Sequence, residues 1–211
     1  MEFEHEPVLL EEVIKNLAIK KNGIYVDCTI GGAGHSKEIA KKLTSQGHLI
    51  GIDQDKVAIN AAAQNLKDTA PQIDLMRNNY SQLTTVLREL NISAVDGFLF
   101  DLGVSSYQLD EPERGFSYRF DAPLDMRMDR RQSETAADIV NNYSQEKLTK
   151  IIRKYGEENW AQRIANFIIE RREEKSIETT LELVEVIKAA IPPSARRSVG
   201  RPAKRTFQGL R

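Results

Sequence analysis

Over its first hundred residues the chain alternates short apolar runs with amphipathic stretches. The runs at 24–28, 49–53, 73–77 and 97–101 have the length of strands, and stretches with helical spacing lie between them near 35–45, 55–68 and 81–91. Alternation of this kind predicts βαβ units and a parallel sheet covered by helices. Each run is almost continuously apolar, as strands buried on both faces are. After Asp101 the pattern breaks. Residues 103–135 are rich in Gly, Pro, Asp, Arg and aromatics without a period, which predicts a long ordered loop. Helical spacing then returns. Leu148, Ile151, Ile152 and Tyr155 share one face, as do Trp160, Ile164, Phe167 and Ile168. A further helix is expected to start at Thr179-x-x-Glu182, where hydroxyl and carboxylate can cap each other's backbone amides. It carries Leu183, Val184, Ile187 and Ile191 to a stop at Pro192-Pro193. Trp160 and Phe167 are read as core residues.

Composition narrows the picture only a little. At 211 residues, 40% hydrophobic and 29% charged, the chain is an ordinary globular sequence. Its 30 basic residues nearly cancel its 31 acidic ones, so any contact with nucleic acid must come from a local patch. One such patch is the run 196–205, which holds Arg196, Arg197, Arg201, Lys204 and Arg205 and no acid. A solvated basic linker explains that run almost as well. The single cysteine, Cys28, excludes an intrachain disulfide and suits a cytoplasmic location. No apolar run of about 18 residues is present, so no membrane span is expected. No metal site is expected.

The sharpest local signal is Val26-Asp27-Cys28-Thr29-Ile30-Gly31-Gly32-Ala33-Gly34-His35, between a strand and a helix. Glycines there let the backbone turn tightly against a ligand. A dinucleotide site would use G-x-G-x-x-G, but Lys37 stands where the third glycine would be, and Asp27 closes the strand. A carboxylate repels pyrophosphate and suits the cationic amino and sulfonium groups of S-adenosylmethionine. Asp53 ends the next strand about 20 residues on, where it can accept from ribose hydroxyls. Asp55 reads as a helix cap. Tyr80, after the third strand, could cover an adenine ring or pack locally.

Beyond Asp101 the chain reads Leu102-Gly103-Val104-Ser105-Ser106-Tyr107-Gln108-Leu109-Asp110. It continues through Glu113-Arg114-Gly115-Phe116-Ser117 to Pro123-Leu124-Asp125-Met126-Arg127-Met128-Asp129. With the GGAGH loop, Tyr155-Gly156-Glu157-Glu158 and Arg205-Thr206-Phe207-Gln208, this resembles the ribosomal RNA small subunit methyltransferase H family over nearly the whole chain. The resemblance implies S-adenosylmethionine-dependent methylation of a cytosine N4 amine in the decoding region of 16S rRNA, with the small ribosomal subunit as partner. It implies an α/β fold: a Rossmann-like class I methyltransferase sheet, incomplete at about four parallel strands, with an inserted helical domain. The expected boundaries are 1–106 for the cofactor domain, 107–195 for the insertion, and 196–211 for a return segment cut short. Family members continue past the segment that ends at Arg211. The fourth strand is therefore expected to form an apolar sheet edge, through which two copies could pair.

On matching positions the resemblance assigns cofactor contacts to Gly32, Ala33, Gly34, His35, Asp53, Tyr80, Asp101 and Gln108, with His35 acting through its backbone amide at a helix start. Asp101, at the carboxyl end of the fourth strand, is the candidate catalytic residue, and its use as proton acceptor is the least supported of these roles. Ser105, Ser106, Asp125, Arg127, Arg196, Arg197 and Arg201 are candidate substrate contacts. For Asp125 and Arg127 an ion-pair network that stiffens the loop is an equal alternative. Two competing readings stand: a remnant that binds cofactor or rRNA without turnover, and a nicotinamide oxidoreductase suggested by the glycine loop alone.

Overall fold

A computed structural model describes residues 7–195 and 203–211. The chain divides into two compact units, residues 1–103 and 104–211.

In the first unit, β1 (Ile24–Asp27), β2 (His48–Asp53), β3 (Gln72–Arg77) and β4 (Gly97–Leu99) form one parallel sheet in the order β3-β2-β1-β4. That is the first half of a doubly wound, Rossmann-like sheet. The strands fall where apolar runs predict them, within a residue or two. Alternate residues feed two cores. Tyr25, Leu49 and Leu99 face α1 (Leu10–Leu17), α2 (Gly34–Ala40) and α3 (Lys56–Leu66), while Val26, Ile50 and Ile52 face α4 (Leu83–Glu89). Gly51 of β2 leaves room for Ile30, whose side chain occupies the place a Cβ there would need. β4 pairs only with β1, and its outer edge is open among the described residues. Phe98 and Phe100 are 43% and 45% exposed there, as expected of an unpaired apolar edge.

The second unit is helical. It contains α5 (Ser106–Asp110), α6 (Ala136–Asn142), α7 (Gln145–Lys154), α8 (Ala161–Glu174), α9 (Thr180–Ala190) and α10 (Ala203–Leu210). Its core gathers Phe116, Leu124, Val140, Leu148, Ile152, Ile164, Ile168, Leu183, Ile187 and Phe207, with Trp160 and Phe167 packed against it. Thr179 and Glu182 form the expected capping box, and Thr135 with Asp138 forms another.

Three findings depart from the sequence expectations. The stretch 103–135 is not wholly loop: it holds α5 and a 3-10 turn at Pro112–Arg114, both too short to show a period. The division between units falls after Gly103 rather than after residue 106. The end of the chain, expected to return to the first domain, packs inside the second unit. Phe207 of α10 is fully buried there and meets Tyr118 edge to face at 5.6 Å.

Candidate functional site

The site is built at the carboxyl ends of β1, β2 and β4, where an open α/β sheet binds its ligands. After Asp27 the chain crosses between strand ends. Cys28 N donates to Leu99 O at 2.9 Å, and Ile30 N to Ile52 O at 3.0 Å. Asp101 N donates to Thr29 Oγ1 at 2.7 Å. The glycine loop then turns back through Gly31 and Ala33, both with positive φ.

Asp53 clamps this loop. One carboxylate oxygen accepts from Gly31 N at 3.0 Å, the other from Asp55 N at 2.9 Å. Burial pushes the Asp53 carboxyl above its ordinary range, although both amides work against that shift. Each carboxylate oxygen can accept more than one donor, so the half-buried group keeps capacity for a ligand hydroxyl. Asp55 caps α3 by accepting from Val57 N at 3.0 Å, as its position predicts. Asn65 of α3 donates to Gly32 O at 2.8 Å and fixes the loop from the other side.

Asp27 does a different job from the one its place in the sequence suggests. It is 2% exposed and accepts from Thr29 N at 3.1 Å and Ser36 Oγ at 2.7 Å. It therefore ties strand end, loop and helix together instead of meeting a ligand. Burial raises its carboxyl to about 6, against the opposing pull of Ser36 and Thr29.

His35 is buried. Its Nε2 lies 2.9 Å from Val8 O and its Nδ1 4.0 Å from Asp101 Oδ2. Gly34 completes this contact, since a Cβ there would run into Pro7. The N-terminal segment thus lies over the start of α2, a feature with no signal in the local sequence. The Asp101 carboxylate is exposed. Tyr80 opens the 3-10 turn Tyr80–Gln82, which Asn79 caps through Ser81 N at 2.8 Å. Its ring is half exposed and meets Phe100 edge to face at 5.8 Å. Thr29, Ser36 and Phe100 are the members of this site that sequence reasoning missed. Their roles depend on which strand ends lie side by side.

Taken together, two carboxylates stand open beside the loop, Asp53 at the end of β2 and Asp101 just past β4, with the buried Asp27 of β1 between those strands. No basic side chain pairs with any of them in the described residues, apart from His35 beside Asp101. Such a site repels phosphate and favours a ligand with cationic and hydroxyl groups.

The remaining candidates lie in the second unit. Ser105 and Gln108 form a capping box on α5, with Ser105 N donating to Gln108 Oε1 at 3.1 Å and Gln108 N to Ser105 Oγ at 3.2 Å. Ser106 is the first residue of that helix. Asp125 and Arg127 form a two-pronged ion pair at 2.8 and 2.7 Å, and Arg127 also donates to Gln132 O at 2.7 Å. Burial pushes the Asp125 carboxyl up, but the Arg127 contacts outweigh it and hold it below its ordinary value. Asp129 and Arg131 repeat the same fork four residues on. These contacts are those of a network that stiffens an aperiodic segment. Arg196, Arg197 and Arg201 lie outside the described residues.

A model of the MraW methylase family matches residues 2–211. The chain belongs to that family. Curated members are similar along its whole length. The Ribosomal RNA small subunit methyltransferase H of Lachnospira eligens is 57% identical over 211 residues, covering 100% of this chain and 67% of the relative. The protein of the same name from Clostridioides difficile is 56% identical and is covered to 68%. This MraW family chain thus spans about two thirds of the length of those relatives. With the family established, the nicotinamide oxidoreductase alternative is set aside.

Proposed function

We propose that this chain binds S-adenosylmethionine at the carboxyl ends of β1, β2 and β4 and serves the methylation of small-subunit ribosomal RNA. The target is the N4 amine of a cytosine in the 16S decoding region, and the setting is the cytoplasm. The observation that carries the reading is the Asp53 clamp on Gly31, with Asp101 exposed on the next strand but one. The residues fit the cofactor. Asp53 retains acceptor capacity for ribose hydroxyls, Tyr80 offers an aromatic face, and Asp101 offers a carboxylate to cationic groups. Gly32, Ala33, Gly34 and His35 provide backbone around it, and Gln108 supports the segment that follows.

The cofactor supplies an electrophilic methyl group on sulfur. The chain's task is to hold the amine in line with that bond and to favour the positive charge that develops on nitrogen. Asp101 is the carboxylate able to accept from the amine hydrogens. Ser105, Ser106, Asp125 and Arg127 belong to the segment that would receive the target nucleotide, and Arg196, Arg197 and Arg201 would meet its phosphates.

A second reading is favoured by the open β4 edge. With Phe98 and Phe100 exposed beside Asp101, a site formed by this chain alone admits water and binds cofactor without turnover. One experiment decides between them. Transfer of labelled methyl from S-adenosylmethionine to 30S subunits lacking that modification is followed by nucleoside analysis. N4-methylcytidine supports the first reading, cofactor binding without transfer supports the second, and neither result leaves the proposal standing if cofactor fails to bind.

A further inference from the structure

The second unit carries a basic face that does not help hold that unit together. On α7, Leu148 and Ile152 are buried, while Lys147, Lys150, Arg153 and Lys154 are exposed. Glu146 is the only acid on the helix. Among the described residues none of the four cations makes an ion pair; Lys147 and Lys154 instead lie over the rings of Tyr143 and Tyr155, at 5.3 and 5.0 Å. Cations in the last turn of a helix complement its dipole, which accounts for Arg153 and Lys154. It does not account for Lys147, in the first turn of α7, where the dipole disfavours positive charge, nor for Lys150 in the middle of the helix.

Two further features extend this face. Gln145, Thr149, Lys150, Arg153 and Lys154 line an open cleft of about 560 Å³ together with the single acid Glu146, and Gln162 of α8 completes it. In addition, α10 crosses the end of α7. Gly156 lacks a side chain where the Arg205 carbonyl passes, a Cβ on Gly209 would lie only 3.1 Å from Ile151 O, and Gln208 Nε2 donates to Tyr155 O at 3.2 Å. The crossing brings the exposed residues Lys204 and Arg205 to the end of α7 that carries Lys154 and the exposed Tyr155. Six exposed cations thus lie on two adjoining helices of the second unit, in a chain whose net charge is -1.

We propose that the α7–α10 face is a docking platform for the phosphate backbone of RNA, which binds the substrate without reading its sequence. This rests on the reading that the substrate is ribosomal RNA. Successive turns of α7 repeat the cations about every 5 Å along the helix, a row suited to a polyanion. The hydroxyl and amides in the cleft add hydrogen bonds to phosphate or sugar. Tyr155 offers a ring on which an unpaired base can stack.

The test uses the full chain and 16S rRNA transcribed in vitro. Lys147, Lys150, Arg153 and Lys154 are changed together to Gln, and affinity is measured across a series of salt concentrations. A control carries Lys15, Lys21, Lys42 and Lys67 changed to Gln, which removes equal charge from exposed positions of the first unit. The α7 variant should bind at least about tenfold more weakly at low salt. Its slope of log affinity against log salt should flatten by roughly 3, the share of four released counterions. The control should keep the slope of the parent. Equal slopes for the parent and the α7 variant, equal losses in both variants, or no RNA binding by the parent would each overturn the platform. Cofactor affinity and methyl transfer to 30S subunits, measured in parallel, judge the catalytic reading separately. All four side chains are exposed, so unchanged melting of the variant is expected and ensures that a loss of binding is not a loss of fold.

Discussion

Replacing Asp27 with Asn should abolish a pH dependence in the stability of the first unit. Asp27 is buried beneath Ser36 and Thr29, and burial raises its carboxyl from 3.8 to about 6. A shift of about two pH units corresponds to about 3 kcal/mol. The sign follows from linkage. A folded-state value above the unfolded one means that folding favours the protonated form. The stabilisation is complete below about pH 4 and is lost as pH rises through about 6. At pH 7 the first unit therefore carries a charged, desolvated carboxylate whose strain its two hydrogen bonds only partly offset. Asn cannot ionise, so Asp27→Asn should gain on the parent by about 3 kcal/mol between pH 4 and pH 7, whatever constant offset the altered hydrogen bonds introduce. The fluorescence of Trp160 reports on the other unit. The assay is therefore hydrogen exchange of peptides spanning β1 and β2 under increasing urea, corrected for intrinsic rates. A stability difference that stays flat across this pH range would falsify the reasoning.

Asp53→Ala should weaken S-adenosylmethionine binding by roughly 1–3 kcal/mol, because it removes a hydroxyl acceptor and releases Gly31 N from the loop clamp; calorimetry giving equal affinity for both proteins would remove Asp53 from the site. Gly51→Ala should destabilise the first unit by about 1–3 kcal/mol, since its Cβ meets Ile30 and Leu75 in a filled core, and unchanged denaturation would show that this core yields more easily than its packing implies. Changing Phe98 and Phe100 together to Ser should reduce concentration-dependent self-association in sedimentation velocity, because both lie half exposed on the open β4 edge. Identical sedimentation of parent and variant would mean that two copies do not meet there.

Features that depend on a few neighbouring residues could be read from the chain alone. The four strands follow from apolar runs too short for helices. The start of α9 follows from a hydroxyl and a carboxylate three residues apart, and the Asp55 cap from an acid just before a helical period. The place of Asp53 at the end of β2 was legible from the apolar run before it, whereas its hold on Gly31 N depends on the loop of β1 folding back beside β2. Tertiary structure decided what depends on neighbours distant in sequence. Asp27 looks like a ligand contact in the chain, but packing of α2 places Ser36 over it and makes it a buried tie. Phe100 becomes part of the site only because β4 ends beside Tyr80, and Pro7 and Val8 only because Gly34 leaves them space. α5 escaped detection because one turn and a half carries no period, though its Ser105–Gln108 capping box is local. The basic residues of α7 look in sequence like an ordinary solvated helix face. They form one surface with Lys204 and Arg205 because two glycines, Gly156 and Gly209, let the backbones of α7 and α10 approach so closely. Such an approach is a property of packed surfaces, and no window of sequence spacing contains it.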